Sequence, residues 1–206
     1  MNCLLCEQRL ASTPSWQSLF AIEKTLLICE DCSKSFERVD IEERGDILHH
    51  VKSLYTYNEA MREFLHQYKF LQDVALSEVF ADELKNVLLN KLKWKNAVIV
   101  PIPMHIDKKI ERTFSQIDEL LNAANVPYED LLIKTNTEVM GEKTREERLS
   151  MRPLFSIKQG TVINKTTYIL VDDIYTTGTT LRHAATVLLE AGAERVEAVT
   201  LIRAER

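Results

Sequence analysis

The stretch "YILVDDIYTTGTTLRHAATVLLEAGAERV", from Tyr168 to Val196, decides the fold. Its opening residues, Tyr168 to Val171, are apolar and β-rich, and the run is short enough for a central parallel strand. Helical spacing begins at Leu181 and continues through Ala184, Ala185, Leu188 and Leu189. It stops at Gly192, a residue suited to the left-handed cap of a helix. "RVEAVTLIR" then reads as a second strand. The unit is strand, loop, helix, strand. It predicts an α/β fold, a parallel sheet flanked by helices, with ligands bound at the carboxyl ends of the strands. Asp172 and Asp173 are expected at that edge.

The loop from Thr176 to Thr180 carries four threonines around Gly178. Where such a loop opens a helix, its backbone N–H groups point outwards with the positive end of the helix dipole. Gly178 permits a close approach of the backbone, and the hydroxyls of Thr176, Thr177, Thr179 and Thr180 add donors without charge. That suits a phosphate monoester. Adjacent carboxylates are acceptors for vicinal hydroxyls and also attract Mg²⁺. A phosphate at one end and a diol at the other describe a ribose 5-phosphate. The plainer alternative is that the aspartates end a strand and the threonines cap a helix.

Working outward, Ala97 to Val100 form an apolar run beside prolines and predict a buried strand. Met61, Phe64, Leu65 and Tyr68, then Val79, Phe80, Leu84, Val87 and Leu88, fall three or four apart and predict core-facing helices. Ile106, Ile110, Phe114, Ile117 and Leu120 predict another amphipathic helix. "KTNTEVMGEKTREERLSMRPLF" has weak periodicity and reads as a mobile loop. Its Lys143, Arg145, Arg148 and Arg152 could face an anion or simply be solvated.

All four cysteines lie near the start, Cys3 and Cys6 in "CLLC", Cys29 and Cys32 in "CEDC". Each CxxC turn offers two thiolates to one ion, and two turns complete a tetrahedral site suited to structural Zn²⁺. Disulfides and a redox CxxC are the competing readings, and a reducing cytosol and the lack of a surrounding βαβ pattern count against them. A module this small would draw folding energy from the metal. The acidic "DIEERGD" reads as a junction. The expected division is therefore a four-cysteine module at 1–40, a helical hood or linker at 41–95, and the α/β domain at 96–206.

The chain has 206 residues, 45% hydrophobic and 28% charged, and a formal net charge of −5. The balance excludes a protein built mainly to coat nucleic acid but leaves room for a local basic groove. No run approaches the about 18 consecutive apolar residues of a membrane span. The first ten residues lack the features of a signal peptide, so a cytoplasmic location is expected and no membrane insertion.

"ILVDDIYTTGTT" resembles the phosphoribosyl pyrophosphate (PRPP) binding motif of type I phosphoribosyltransferases. "VPIPMH" (Val100 to His105), "ERTFSQ" (Glu111 to Gln116) and "REERLSMRPLF", with the cysteine pairs, resemble the ComF family of competence-associated proteins. The chain departs from the family's second block at Thr113 and Ser115, where Gly and Asn are usual. The resemblance implies that Asp172 and Asp173 hold the ribose hydroxyls, with Mg²⁺ bound directly or through water or PRPP. It implies that Thr176, Thr177, Gly178, Thr179 and Thr180 hold the 5-phosphate. The turn carrying His105 would lie beside the pyrophosphate, and Arg148 would close over it.

Two functions follow from the resemblance. One is a DNA-uptake factor with a PRPP pocket, working with the ComFA helicase on incoming single-stranded DNA. The other is an active phosphoribosyltransferase with an unidentified acceptor, such as a nucleobase. Some purine-using relatives hold an Asp where this chain has Thr176, and a threonine is no general base. Trp94, Tyr55 or Tyr57 could stack bases, though each is more readily explained as core or boundary packing.

Overall fold

The computed structural model describes residues 2–10, 27–105, 110, 114–135 and 154–204. Its centre is a five-stranded sheet. The strands are β1 (Arg38–Glu43), β2 (His50–Thr56), β3 (Val98–Pro101), β6 (Thr167–Tyr175) and β7 (Arg195–Arg203), in the order β1-β2-β7-β6-β3. β1 runs antiparallel to β2 at one edge, and the other pairings are parallel. A separate antiparallel hairpin joins β4 (Leu132–Lys134) to β5 (Phe155–Ile157).

β7 sits in the middle because Val196 through Ile202 are all buried, as a strand covered on both faces requires. Ser53 and Thr200, on neighbouring strands, satisfy each other through a buried 2.8 Å hydrogen bond. A layer of helices covers each face. On one lie α2 (Glu59–Phe70), a 3₁₀ turn (Val74–Phe80), α3 (Ala81–Lys95) and α4 (Gln116–Ala123). They bury Met61, Phe64, Tyr68, Leu84, Leu88 and Leu121 against Ile169, Val171 and Val199. On the other face α5 (Thr179–Glu190) and the hairpin bury Leu181, Ala185, Leu188, Leu132 and Phe155 against Tyr168, Leu170 and Ala198. Each of the Leu, Ile, Val, Phe and Met side chains among them contributes roughly 1.5–3 kcal/mol on leaving water.

Two expectations need correction. The acidic junction and the start of the helical linker are β1 and β2, so the boundary drawn at residue 40 runs through a strand. Val51, Leu54 and Tyr55 are buried and tie β2 to β7. The charges of β1 disguised it, because an edge strand keeps its polar side chains in water. The second concerns the stripe from Ile106 to Leu120. It is broken before Gln116, where a helix starts with Ser115 at its N-cap and buries Ile117 and Leu120, while Ile110, helical itself, is 73% exposed. Ile106 lies outside the described residues. No helix among the described residues is long and apolar enough to cross a membrane.

Candidate functional site

β6 does not stop before the aspartates. It continues through them to Tyr175, whereas β3 ends at Pro101, opposite Val171. Asp172 and Asp173 therefore stand just past the end of their β3 neighbour, flanked by β7 alone. A hydrogen bond of 2.9 Å from Ile102 N–H to Val171 O keeps the chain leaving β3 alongside them. That turn leads to His105, which is half-buried.

The pleat sends neighbouring side chains to opposite faces. Ile169 and Val171 join the core under α2, and Tyr168 and Leu170 join the core under α5. Asp173 continues the first set and forms an ion pair with Lys69, in the last turn of α2. The Oδ1 of Asp172 accepts the Asp173 N–H at 2.9 Å. Burial, then the Asp173 carboxylate, pushes the Asp172 carboxyl up to about 7, against the Asp173 N–H and the charges of Lys69 and Lys134. The two aspartates are chemically unequal: Asp173 is charge-paired, and Asp172 holds its proton to a higher pH than an ordinary carboxyl.

Beyond Tyr175 the chain turns through the threonine loop. Gly178 takes φ +69° and caps α5. The first helical bond runs from Arg182 N–H to Gly178 O at 2.9 Å, leaving the N–H groups of Thr179, Thr180 and Leu181 without partners inside the helix. Thr177 and Thr179 share a 2.8 Å hydroxyl contact, and the Arg182 guanidinium donates to Thr177 O. Thr176 and Thr177 are exposed, and Thr179 and Thr180 are half-buried. The result is a donor-lined turn at the positive end of a twelve-residue helix, one strand-end from two carboxylates.

At the other end of the chain, the sulfurs of Cys3, Cys6, Cys29 and Cys32 all lie within 4.8 Å of one another, with Cys6 and Cys29 at 3.7 Å. Zn–S bonds of about 2.3 Å in a tetrahedron place sulfurs about 3.8 Å apart, so the set fits one such ion. All four are free of disulfides. Cys29 N–H donates to Cys3 Sγ at 3.2 Å, and Cys32 N–H to Cys29 Sγ at 3.4 Å. Burial opposes ionisation of Cys3, but the N–H groups of Cys6, Cys29 and Leu5 outweigh it and bring the thiol down to about 6. Cys29 also caps the short helix α1 (Glu30–Ser35). The module rests on α2 through Asn58 Nδ2 to Ser35 O, 2.8 Å, and through Leu4, Leu5 and Phe36 in the shared core.

Lys69, Lys134 and Arg182 are the site residues that sequence reasoning missed. Each is one lysine or arginine among 26, and only the fold brings it to the loop or the aspartates. Lys143, Arg145, Arg148 and Arg152 lie outside the described residues, as does the Trp94 side chain. Tyr55 is unsuited to stacking bases: it is 4% exposed, and its hydroxyl donates to Glu83. Tyr57, at 40%, is open. A cavity of about 500 Å³ opens away from the aspartates, between Phe36, Arg38, Tyr55 and Glu83.

Residues 81–206 match the phosphoribosyl transferase domain family. Competence protein ComFC of Streptococcus pneumoniae is 35% identical, covering 98% of this chain and all of that protein. The chain belongs to the ComFC family. Competence protein ComFC of Bacillus subtilis is 30% identical over 98% of this chain and 94% of its own. A hypoxanthine phosphoribosyltransferase structure from Staphylococcus aureus overlaps 62% of each chain, with 19% identity and a TM-score of 0.41. The ComFC match spans both the cysteine cluster and α2, which precede the phosphoribosyl transferase match. In this ComFC-family chain the strand-loop-helix of β6 and α5 falls within that match.

Proposed function

We propose that this chain is a cytoplasmic competence factor whose phosphoribosyltransferase-type domain binds PRPP. The observation that carries the reading is the Gly178 turn. It opens α5 with the Thr180 and Leu181 N–H groups outside the helix's own ladder, shortly after two carboxylates on the same strand. The loop from Thr176 to Thr180 would take the 5-phosphate, and Asp172 and Asp173 the ribose diol. Mg²⁺ would enter with PRPP, held by pyrophosphate and diol oxygens, since the Asp173 carboxylate already carries the Lys69 ammonium. His105 would lie near the leaving pyrophosphate, and Arg148 would close over it.

The four cysteines would hold one Zn²⁺, which braces the module against α2. The two ComFC relatives support a competence role; a ComFA-like helicase as partner and incoming single-stranded DNA as its substrate are what the family resemblance implies. Contact with DNA would be local and salt-sensitive, given the net charge of −5.

Calorimetric titration of Mg²⁺–PRPP into zinc-loaded protein tests the reading, with Asp172→Ala/Asp173→Ala alongside. Saturable binding is expected and should be lost in the double variant. A folded wild type that takes up no PRPP would refute the pocket. Pyrophosphate release on adding a panel of nucleobases would mark the chain as a transferase; its absence together with helicase co-purification would mark it as an adaptor.

A further inference from the structure

Lys69 lies outside the phosphoribosyl transferase match, yet its ammonium meets one of the two aspartates at the centre of the site. We infer that Lys69 makes the aspartate pair selective for an anionic sugar phosphate over a bare divalent cation. The inference rests on the ribose 5-phosphate reading of this pocket.

Two carboxylates on consecutive residues, left to themselves, draw cations and repel phosphates. The surroundings add to this, because burial and then the carboxylates of Glu119, Asp173 and Asp118 all push the Tyr68 phenol upwards. A ligand carrying several phosphate charges needs that field offset. Lys69 does so from the α2 face of the sheet, with only 16% of its side chain exposed and 14% of Asp173's. Lys134 stands near Asp172, where its charge opposes the upward push on that carboxyl.

The delivery is rigid. Tyr68, next in the chain, is fully buried and donates to Gln116 O at 2.7 Å, which pins the last turn of α2 to the start of α4. Met61, Phe64 and Leu65 anchor the same helix in the core. The ammonium engages Oδ2 of Asp173, so the carboxylate keeps a second oxygen with which to accept from a sugar hydroxyl. Lys69 is thus a positioning residue: it orients Asp173 and cancels its charge without touching the sugar.

The distinctive consequence is that removing Lys69 moves two affinities in opposite directions. The test uses zinc-loaded full-length protein, wild type, Lys69→Met and Lys69→Arg. Ribose 5-phosphate binding is measured by calorimetry in metal-free buffer, and Mn²⁺ binding by electron paramagnetic resonance without sugar. Lys69→Met should weaken ribose 5-phosphate by about tenfold or more and tighten Mn²⁺ by about tenfold, the scale of one hydrogen-bonded charge pair. Lys69→Arg should hold both within about threefold of wild type, since it restores the charge. Adding Asp173→Asn to Lys69→Met should abolish the gained Mn²⁺ affinity. Unchanged affinities in Lys69→Met, or both weakened together, would overturn the selectivity role. A wild type that binds neither ribose 5-phosphate nor Mg²⁺–PRPP would overturn the pocket reading, and this inference with it.

Discussion

Replacing Gly178 with alanine should damage both the loop and the ligand site, and the size of the effect can be worked from two terms. At φ +69° the residue is in the left-handed region, which costs a non-glycine residue roughly 1 kcal/mol. An added Cβ would also lie 2.5 Å from the Tyr175 hydroxyl oxygen, 2.7 Å from Cζ and 2.8 Å from Cε2. The Tyr175 ring borders a cavity of about 260 Å³ but is held on one face. It is 7% exposed, with the Arg203 guanidinium 4.4 Å above it and Arg203 itself ion-paired to Glu43. Overpacking of this kind costs about 1–3 kcal/mol. The sum, about 2–4 kcal/mol, corresponds to a fall in Tm of roughly 5–15 °C for a chain of this size. If the loop instead shifts to relieve the clash, its N–H groups lose their aim, and Mg²⁺–PRPP affinity should fall by about 30-fold or more.

The assay is thermal unfolding and PRPP calorimetry on wild type, Gly178→Ala, Tyr175→Leu and the double variant. Removing the ring lifts the clash but leaves the φ cost. The double variant should therefore sit within about 1 kcal/mol of Tyr175→Leu alone. A Gly178→Ala protein that melts with wild type and binds Mg²⁺–PRPP as tightly would refute the reasoning.

Two further tests address other sites. The Asp172 carboxyl is pushed up to about 7 from 3.8, so between about pH 4 and 7 the folded state holds a proton that the unfolded chain has lost. Its contribution to stability then falls as pH rises through that window. In metal-free buffer Asp172→Asn should gain on wild type progressively from pH 4 to 7 and level off above, by up to about 4 kcal/mol. A Tm difference flat across this range would contradict the assignment. For the cysteine cluster, purified protein should carry about one zinc per chain, and Cys3→Ser or Cys29→Ser should release it and lower Tm, since metal binding contributes folding energy. Full metal content in Cys3→Ser/Cys29→Ser would show that these sulfurs are not its ligands.

Much of this site was readable in one dimension because its parts are contiguous. β6, the aspartates, the Thr-Gly turn and α5 occupy one short stretch. Strand, loop and helix each carry a local signal there: an apolar run, a glycine able to take positive φ, and a stripe at helical spacing. The cysteine pairs were equally legible, because a CxxC turn holds its two sulfurs together whatever the rest of the chain does. β1 and β2 were not. Charged residues such as Glu42 and Glu43 conceal an edge strand, whose place depends on hydrogen bonds to residues far along the chain.

The inequality of the aspartates was also beyond the sequence. Two adjacent Asp residues look alike in the chain, and the two faces of the sheet give them different neighbours. Which lysine then meets which carboxylate depends on the packing of α2 and of the β4–β5 hairpin over those faces. Charge pairing and burial act through space, so the residues that govern the site, Lys69 above all, are set by the fold.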